Sequence, residues 1–153
     1  MTEGTREGGD DDARRARRVT AQKTLAEVAE GVRAAMAVYA QALDDGRTDD
    51  VVATYCADGV CEIPGMGTHA GHDALREAYS RWKPRQPQRH LVVNTAVTDW
   101  SDHEATAISD VILLLLEDSG WAIKVVGRYH DVLHDDNGTW KFHSRTASFA
   151  TRS

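Results

Sequence analysis

Apolar residues recur at three- and four-residue steps through Leu25, Val28, Val32, Met36, Tyr39 and Leu43, which marks one face of a helix. Thr24 followed three positions later by Glu27 offers a capping box at its start, although Thr20 could begin the helix earlier. Asp44, Asp45 and Gly46 end it. Thr48 then caps a short helix whose positive end is favoured by Asp49 and Asp50, with Val51, Val52 and Tyr55 on its apolar side. Gly59 to Ile63 reads as a short strand stopped by Pro64 and Gly65. Asp73 to Trp82 predicts a third helix, closed by Pro84. After Pro87 the pattern turns to β. Strands are predicted near 89–99, 103–117, 121–134 and 139–150, with turns at Asp102–His103, Asp118–Gly120 and Asp135–Gly138. Helices first and a run of strands afterwards predict an α+β domain with a mostly antiparallel sheet.

Composition sharpens the boundaries of that domain. The 153 residues suit one domain with a real core. Residues 1–18 hold no Val, Ile, Leu, Phe, Trp or Tyr, and five acidic side chains balance five basic ones. They are expected to form a mobile charged tail before a domain at 19–153. The tail's Arg14, Arg15, Arg17 and Arg18 could touch an anionic partner. With Asp10, Asp11 and Asp12 beside them, a solvated lead-in is the commoner reading. The whole net charge of −6 therefore belongs to the domain, which argues against wholesale binding to nucleic acid. No stretch approaches the roughly 18 apolar residues of a membrane span; the longest run, Val111–Leu116, fits a buried strand. The start lacks the apolar core of a secretory signal, and two cysteines make no disulfide framework. A soluble, cytoplasmic protein with reduced thiols is expected.

The chain has no phosphate loop, dinucleotide fingerprint, HExxH, CxxC or Gly-x-Ser-x-Gly motif. Cys56, at an apolar helix end, and Cys61, in a strand, read as core packing. His130 and His134 share a strand face but lie about 13 Å apart at 3.3 Å per residue, too far for one ion. Sheet-surface histidines are the better reading. His69, His72, His103 and His143 have no obvious partners. Tyr39, on the apolar stripe, carries its hydroxyl inward and needs a partner there. Asp44 sits at the negative end of its helix, a poor place for a carboxylate. Taken alone, it reads as a solvated turn aspartate. His90 opens the apolar run HLVVNTAV and, taken alone, is more often structural than a base.

Three segments carry a family resemblance: YAQALDDGRTDDVVATYCADGVCEIPGMGTHAGHDAL from Tyr39, RHLVVNTAV from Arg89, and GRYHDVLHDDNGTWKFHSRTASF from Gly127. In this order and spacing, over residues 20–151, the chain resembles the SnoaL-like branch of the nuclear transport factor 2-like (NTF2-like) superfamily. The resemblance implies a cone-shaped fold of about three N-terminal helices on a curved sheet. Its functional pattern is similar to that of scytalone dehydratase, bile-acid 7α-dehydratase and lindane dehydrochlorinase, which use an Asp–His pair in a deep cavity. Tyr39, Asp44, His90 and Arg145 match the Tyr, the Asp, the His and the last-strand Arg of that pattern. Ile63 stands where ketosteroid isomerases of the superfamily carry their carboxylate base, so that mechanism is not implied.

The resemblance thus implies a cofactor- and metal-independent acid–base lyase acting on a small hydrophobic carbonyl compound. A polyketide-type cyclase or isomerase with the same dyad is the first alternative, and a non-catalytic binding or assembly domain the second. His90 would be the base and Asp44 its partner. Tyr39 would donate to a carbonyl or departing hydroxyl, and Arg145 would stabilise an enolate or neutralise Asp44. Tyr55, Trp82, Val92, Leu113 and Phe149 are candidate cavity walls. A homodimer or homotrimer is implied as well.

Overall fold

The computed structural model describes residues 22–150. The expectations for the tail and for a helix start at Thr20 lie outside them. Helix α1 (Leu25–Asp44) begins with the capping box: Glu27 N–H donates to the Thr24 hydroxyl, and Thr24 N–H donates to the Glu27 carboxylate. Its stripe Val28, Val32, Met36, Tyr39 and Leu43 is buried as expected, whereas Leu25, in the first turn, stays exposed. Helix α2 spans Thr48–Ala53, with Arg47 rather than Thr48 at the cap position, and α3 spans Gly71–Arg81.

Six strands follow the expected series, with two differences. They are β1 (Tyr55–Ile63), β2 (Gly67–Ala70), β3 (Gln88–Trp100), β4 (Glu104–Glu117), β5 (Gly120–Asp136) and β6 (Thr139–Phe149). β1 starts four residues before the expected Gly59, so Tyr55 and Cys56 belong to a strand and not to the end of α2. Val51, Val52 and Tyr55 keep helical spacing, which hides the change of element. β2 is a four-residue edge strand folded back on β1 by a turn at Pro64–Met66.

The strand order is β2-β1-β6-β5-β4-β3. β1 runs parallel to β6, and every other pair is antiparallel. Register shifts interrupt each long ladder, between Val93 and Ala96, at Leu113–Leu114 and at Val132–Leu133. Such bulges bend a sheet and raise its twist, and here the sheet curves about α1. One core joins the α1 stripe to Val51, Val52, Tyr55, Leu75, Leu133 and Phe142. Beside it a smaller cluster of Val111, Tyr129 and Ala147, packed by Ile63, Val92 and Phe149, forms the wall of a cavity. Among the described residues no helix is long and apolar enough to cross a membrane.

Candidate active site

Alternation along β3 turns Gln88, His90 and Val92 inward and leaves Arg89, Leu91 and Val93 outward. The last residue of α1 meets the start of this strand. His90 Nδ1 lies 2.6 Å from Asp44 Oδ1, with the His90 side chain 12% exposed and that of Asp44 6%. Asp44 Oδ2 accepts the His90 backbone N–H at 2.8 Å, and Oδ1 also accepts from Gln88 Nε2 at 3.3 Å. These donors compensate a carboxylate held against the negative end of its helix. An ionised carboxylate is acceptor-only, so it accepts from Nδ1–H, and in the neutral imidazole Nε2 then carries the lone pair.

His90 lines a cavity of about 250 Å³. The cross-strand row His90, Leu113 and Val125 forms one side. Tyr39 and Leu43 of α1, Ile63 and Met66 around β1, Tyr79 and Trp82 of the α3 end, and Tyr129 and Phe149 complete it. Gly127 makes room for Phe149: a Cβ there would stand 2.8 Å from the Phe149 ring and 2.5 Å from the Ser148 carbonyl oxygen. Apart from tyrosines, His90 is the one titratable residue among the described lining residues. The wall is otherwise apolar, with Gln88 as its other polar side chain.

The residues singled out from sequence fall into three groups. Asp44 and His90 are hydrogen-bonded at the cavity edge, and Tyr39, Trp82, Leu113 and Phe149 line it. Tyr55 and Val92 do not. Tyr55 is fully buried behind the wall because it opens β1, and its hydroxyl bonds Tyr79 at 2.8 Å. Val92 faces the shallow groove between α1 and β3 and packs on the back of the wall.

Arg145 neither neutralises Asp44 nor reaches the cavity. It is fully buried, with Nε and Nη2 donating to the two carboxylate oxygens of its cross-strand neighbour Asp131 at 2.8 and 2.9 Å. Its guanidinium carbon lies 4.0–4.3 Å from the ring centres of Tyr39, Tyr129 and Phe142. Burial opposes its charge, but the Asp131 carboxylate outweighs that and holds the guanidinium protonated well beyond its ordinary range. Asp131 is 2% exposed.

Sequence reasoning also missed Tyr79, Gln88 and Tyr129. Tyr79 is the hub of a buried hydroxyl cluster. Its oxygen lies 2.9 Å from Tyr39 Oη, 2.8 Å from Tyr55 Oη and 3.5 Å from Cys61 Sγ. Burial pushes all four buried phenols up; for Tyr39 the Arg145 charge pulls back against it, and Tyr55, Tyr79 and Tyr129 rise furthest. They are therefore neutral hydrogen-bond donors at neutral pH. The i, i+4 pair Leu75–Tyr79 on α3 was the available signal for Tyr79, and alternation with Leu133 the signal for Tyr129 and Asp131.

A helix-backed curved sheet around an apolar cavity is the NTF2-like, cystatin-like fold. A protein of that description from Novosphingobium aromaticivorans has a TM-score of 0.75 at 18% identity, covering 96% of this chain and 93% of that one. A protein from the same organism, provisionally described as a scytalone dehydratase, gives 0.71 at 20% identity, over 80% and 83%. A Catenulispora acidiphila protein in complex with S-DNPA gives 0.73 at 23% identity, over 81% and 94%. The family model for the SnoaL-like domain matches residues 24–146, and the chain belongs to that family. A search of the curated proteins finds no match.

Proposed function

We propose that the protein is a cofactor-independent acid–base lyase of the dehydratase type, with Asp44 and His90 as its dyad. The observation that carries this is the 2.6 Å bond from His90 Nδ1 to Asp44 on the edge of an otherwise apolar cavity. The neighbour provisionally described as a scytalone dehydratase supports the class of reaction, and the one in complex with S-DNPA supports ligand binding by this fold. An apolar cavity of about 150 Å³ holds benzene, so about 250 Å³ suits a one- or two-ring compound. The substrate would carry a carbonyl and a hydroxyl on the β-carbon.

His90 Nε2 takes the proton from the carbon between them. The C–H electron pair delocalises onto the carbonyl oxygen and then forms the new C=C bond as the β-hydroxyl leaves. That hydroxyl departs as water with the proton returned by His90, so no electrons are gained or lost overall. Asp44 stabilises the imidazolium formed in between and fixes its orientation, and such positioned groups contribute about 10²–10⁴-fold. The Tyr79 hydroxyl lies within hydrogen-bond distance of those of Tyr39 and Tyr55; with both donating to it, Tyr79 keeps its own proton for the carbonyl oxygen, where negative charge develops. This gives Tyr79 the donor role that the family pattern assigns to Tyr39, and Tyr39 the role of orienting it. Arg145 supports the Tyr39 ring from behind. The test is turnover of a panel of one- and two-ring β-hydroxy ketones, read by product mass. Loss of water that is abolished in His90→Ala supports the proposal. Products of unchanged mass would indicate isomerisation or ring closure by the same dyad, and no product from any compound would favour a binding domain.

We further propose that the protein self-associates through the outer face of β3–β5. Leu91, Trp121, Ile123 and Val126 are exposed there, and the register joins them through Ile112, Leu114 and Leu116 into one apolar surface. The pairs Arg128–Asp110 and Lys124–Glu117 beside it carry both signs, which suits a self-complementary two-fold contact with a second copy.

A further inference from the structure

The face of the sheet turned away from α1 carries a second group of reactive side chains, remote from the cavity. Tyr55, Leu133 and Phe142 point into the core, so their chain neighbours Cys56, His134 and His143 point outward from β1, β5 and β6. The Cys56 sulfur and one nitrogen from each imidazole lie within 4.8 Å of one another. Two ladder irregularities bring them there. One is the shift between Val132 and Leu133, which lets β6 turn His143 outward; the other is the break in β1 between Tyr55 and Val60. The second needs Gly59, where a Cβ would stand 2.9 Å from the carbonyl oxygens of Cys56 and Phe142.

We propose that Cys56, His134 and His143 bind a divalent transition-metal ion of the zinc class, with the fourth position left to water or a nearby carboxylate. The donor set is one that zinc uses: soft thiolate with imidazole, at three protein ligands. Tetrahedral bonds of about 2.0 Å to nitrogen and 2.3 Å to sulfur separate ligand atoms by roughly 3.3–3.5 Å. Closing on an ion thus takes about an ångström of side-chain rotation, and all three side chains are only half-buried.

Three further observations point to a ligand. The His134 and His143 rings lie face to face with centres 4.2 Å apart and planes 13° from parallel. His134 Nε2 holds the Glu104 carboxylate at 3.0 Å, which frees Nδ1 and supplies the outer carboxylate that metal-bound histidines commonly have. His143 Nδ1 is buried with no hydrogen-bond partner, and the Asp58 carboxylate stands 3.7 Å away. On binding, the thiol gives its proton to solvent and the thiolate bonds the ion, with no change of oxidation state.

His130 and His134 lie along one strand, too far apart for a shared ion, whereas the proposed ion would bridge three strands. It would tie β1, on the weakly paired side of the sheet, to the β5–β6 hairpin. The test uses the full chain without an affinity tag, reduced and titrated with Co²⁺. One equivalent is expected to give a thiolate-to-cobalt charge-transfer band that Zn²⁺ abolishes. The band disappears in Cys56→Ser and persists in Cys61→Ala, and Glu104→Gln weakens binding about 10- to 100-fold. His130→Ala, on the exposed face, leaves it unchanged. No band at micromolar protein and metal, or an undiminished band in folded Cys56→Ser or His143→Ala, overturns the proposal.

Discussion

Asp44 and Asp131 show how one residue type takes opposite roles in this chain. Asp44 sits at a helix end that repels it, and is held by three donors at the border of a cavity. Asp131 is closed off from solvent with both oxygens on Arg145. Removing one partner of such a pair leaves an uncompensated buried charge. Arg145→Met is therefore expected to lower unfolding stability by about 3–5 kcal/mol. Adding Asp131→Leu should restore most of the loss, measured as the denaturant midpoint at constant slope. No restoration would show that the rings around Arg145, and not its charge, dominate.

Asp44 and His90 were legible because the resemblance rested on local motifs that fix their place in the fold. Asp131 was not, because its neighbours His130 and His134 drew attention to the strand's outer face. The period-2 pattern Tyr129, Asp131, Leu133 places it inside, and only the register reveals Arg145 opposite. A buried pair is visible in sequence only when both strands are aligned.

At the scale of elements, periodicity carried the account far. The α1 stripe, the third helix and the four long strands follow directly from apolar spacing. What failed were short pieces: the start of β1, hidden by a continuing helical spacing, and β2, whose Gly67–Ala70 has no apolar alternation. The bulges were equally invisible, yet they shape the cavity and gather the outer-face histidines.

Gly127 is a single-position test of the wall. A methyl group there meets the backbone of Ser148, which cannot swing away as a side-chain tip can. Gly127→Ala should cost about 1–3 kcal/mol of stability by thermal or urea unfolding. An unchanged midpoint would mean that β6 shifts freely over β5.

The hydroxyl cluster joining α1, α3 and β1 has a pH signature. Its phenols are raised by burial, so the folded state keeps protons that the unfolded chain loses above about pH 10. Their contribution is complete below that pH and is lost as pH climbs toward the folded-state values. Unfolding free energy should hold steady toward pH 10 and fall beyond it. Tyr79→Phe should lessen the alkaline fall, and a fall of equal steepness in that variant would contradict the assignment.

For the whole molecule, the net charge of −6 says little about the cavity, where His90 and its partner Asp44 are the acid–base groups of the proposed chemistry. The two faces of the sheet divide the work: the inner face with the helices encloses the cavity, and the outer face presents the apolar surface of β3–β5. If that surface joins two copies, light scattering of the native protein gives a multiple of the 16.8 kDa chain. Ile123→Asp then reduces it to the monomer without unfolding, whereas a monomeric native protein would rule out the interface.

The Asp44–His90 dyad is tested most directly by exchange of the proton it is proposed to remove. In D₂O, with a ring compound of the panel that the protein turns over, the α-carbon should take up deuterium at a rate set by His90. Mass spectrometry of recovered substrate and product should show that rate falling about 10²–10⁴-fold in His90→Ala and in Asp44→Asn. Both variants should keep the native circular dichroism. Exchange and turnover at the native rate in either folded variant would contradict the account.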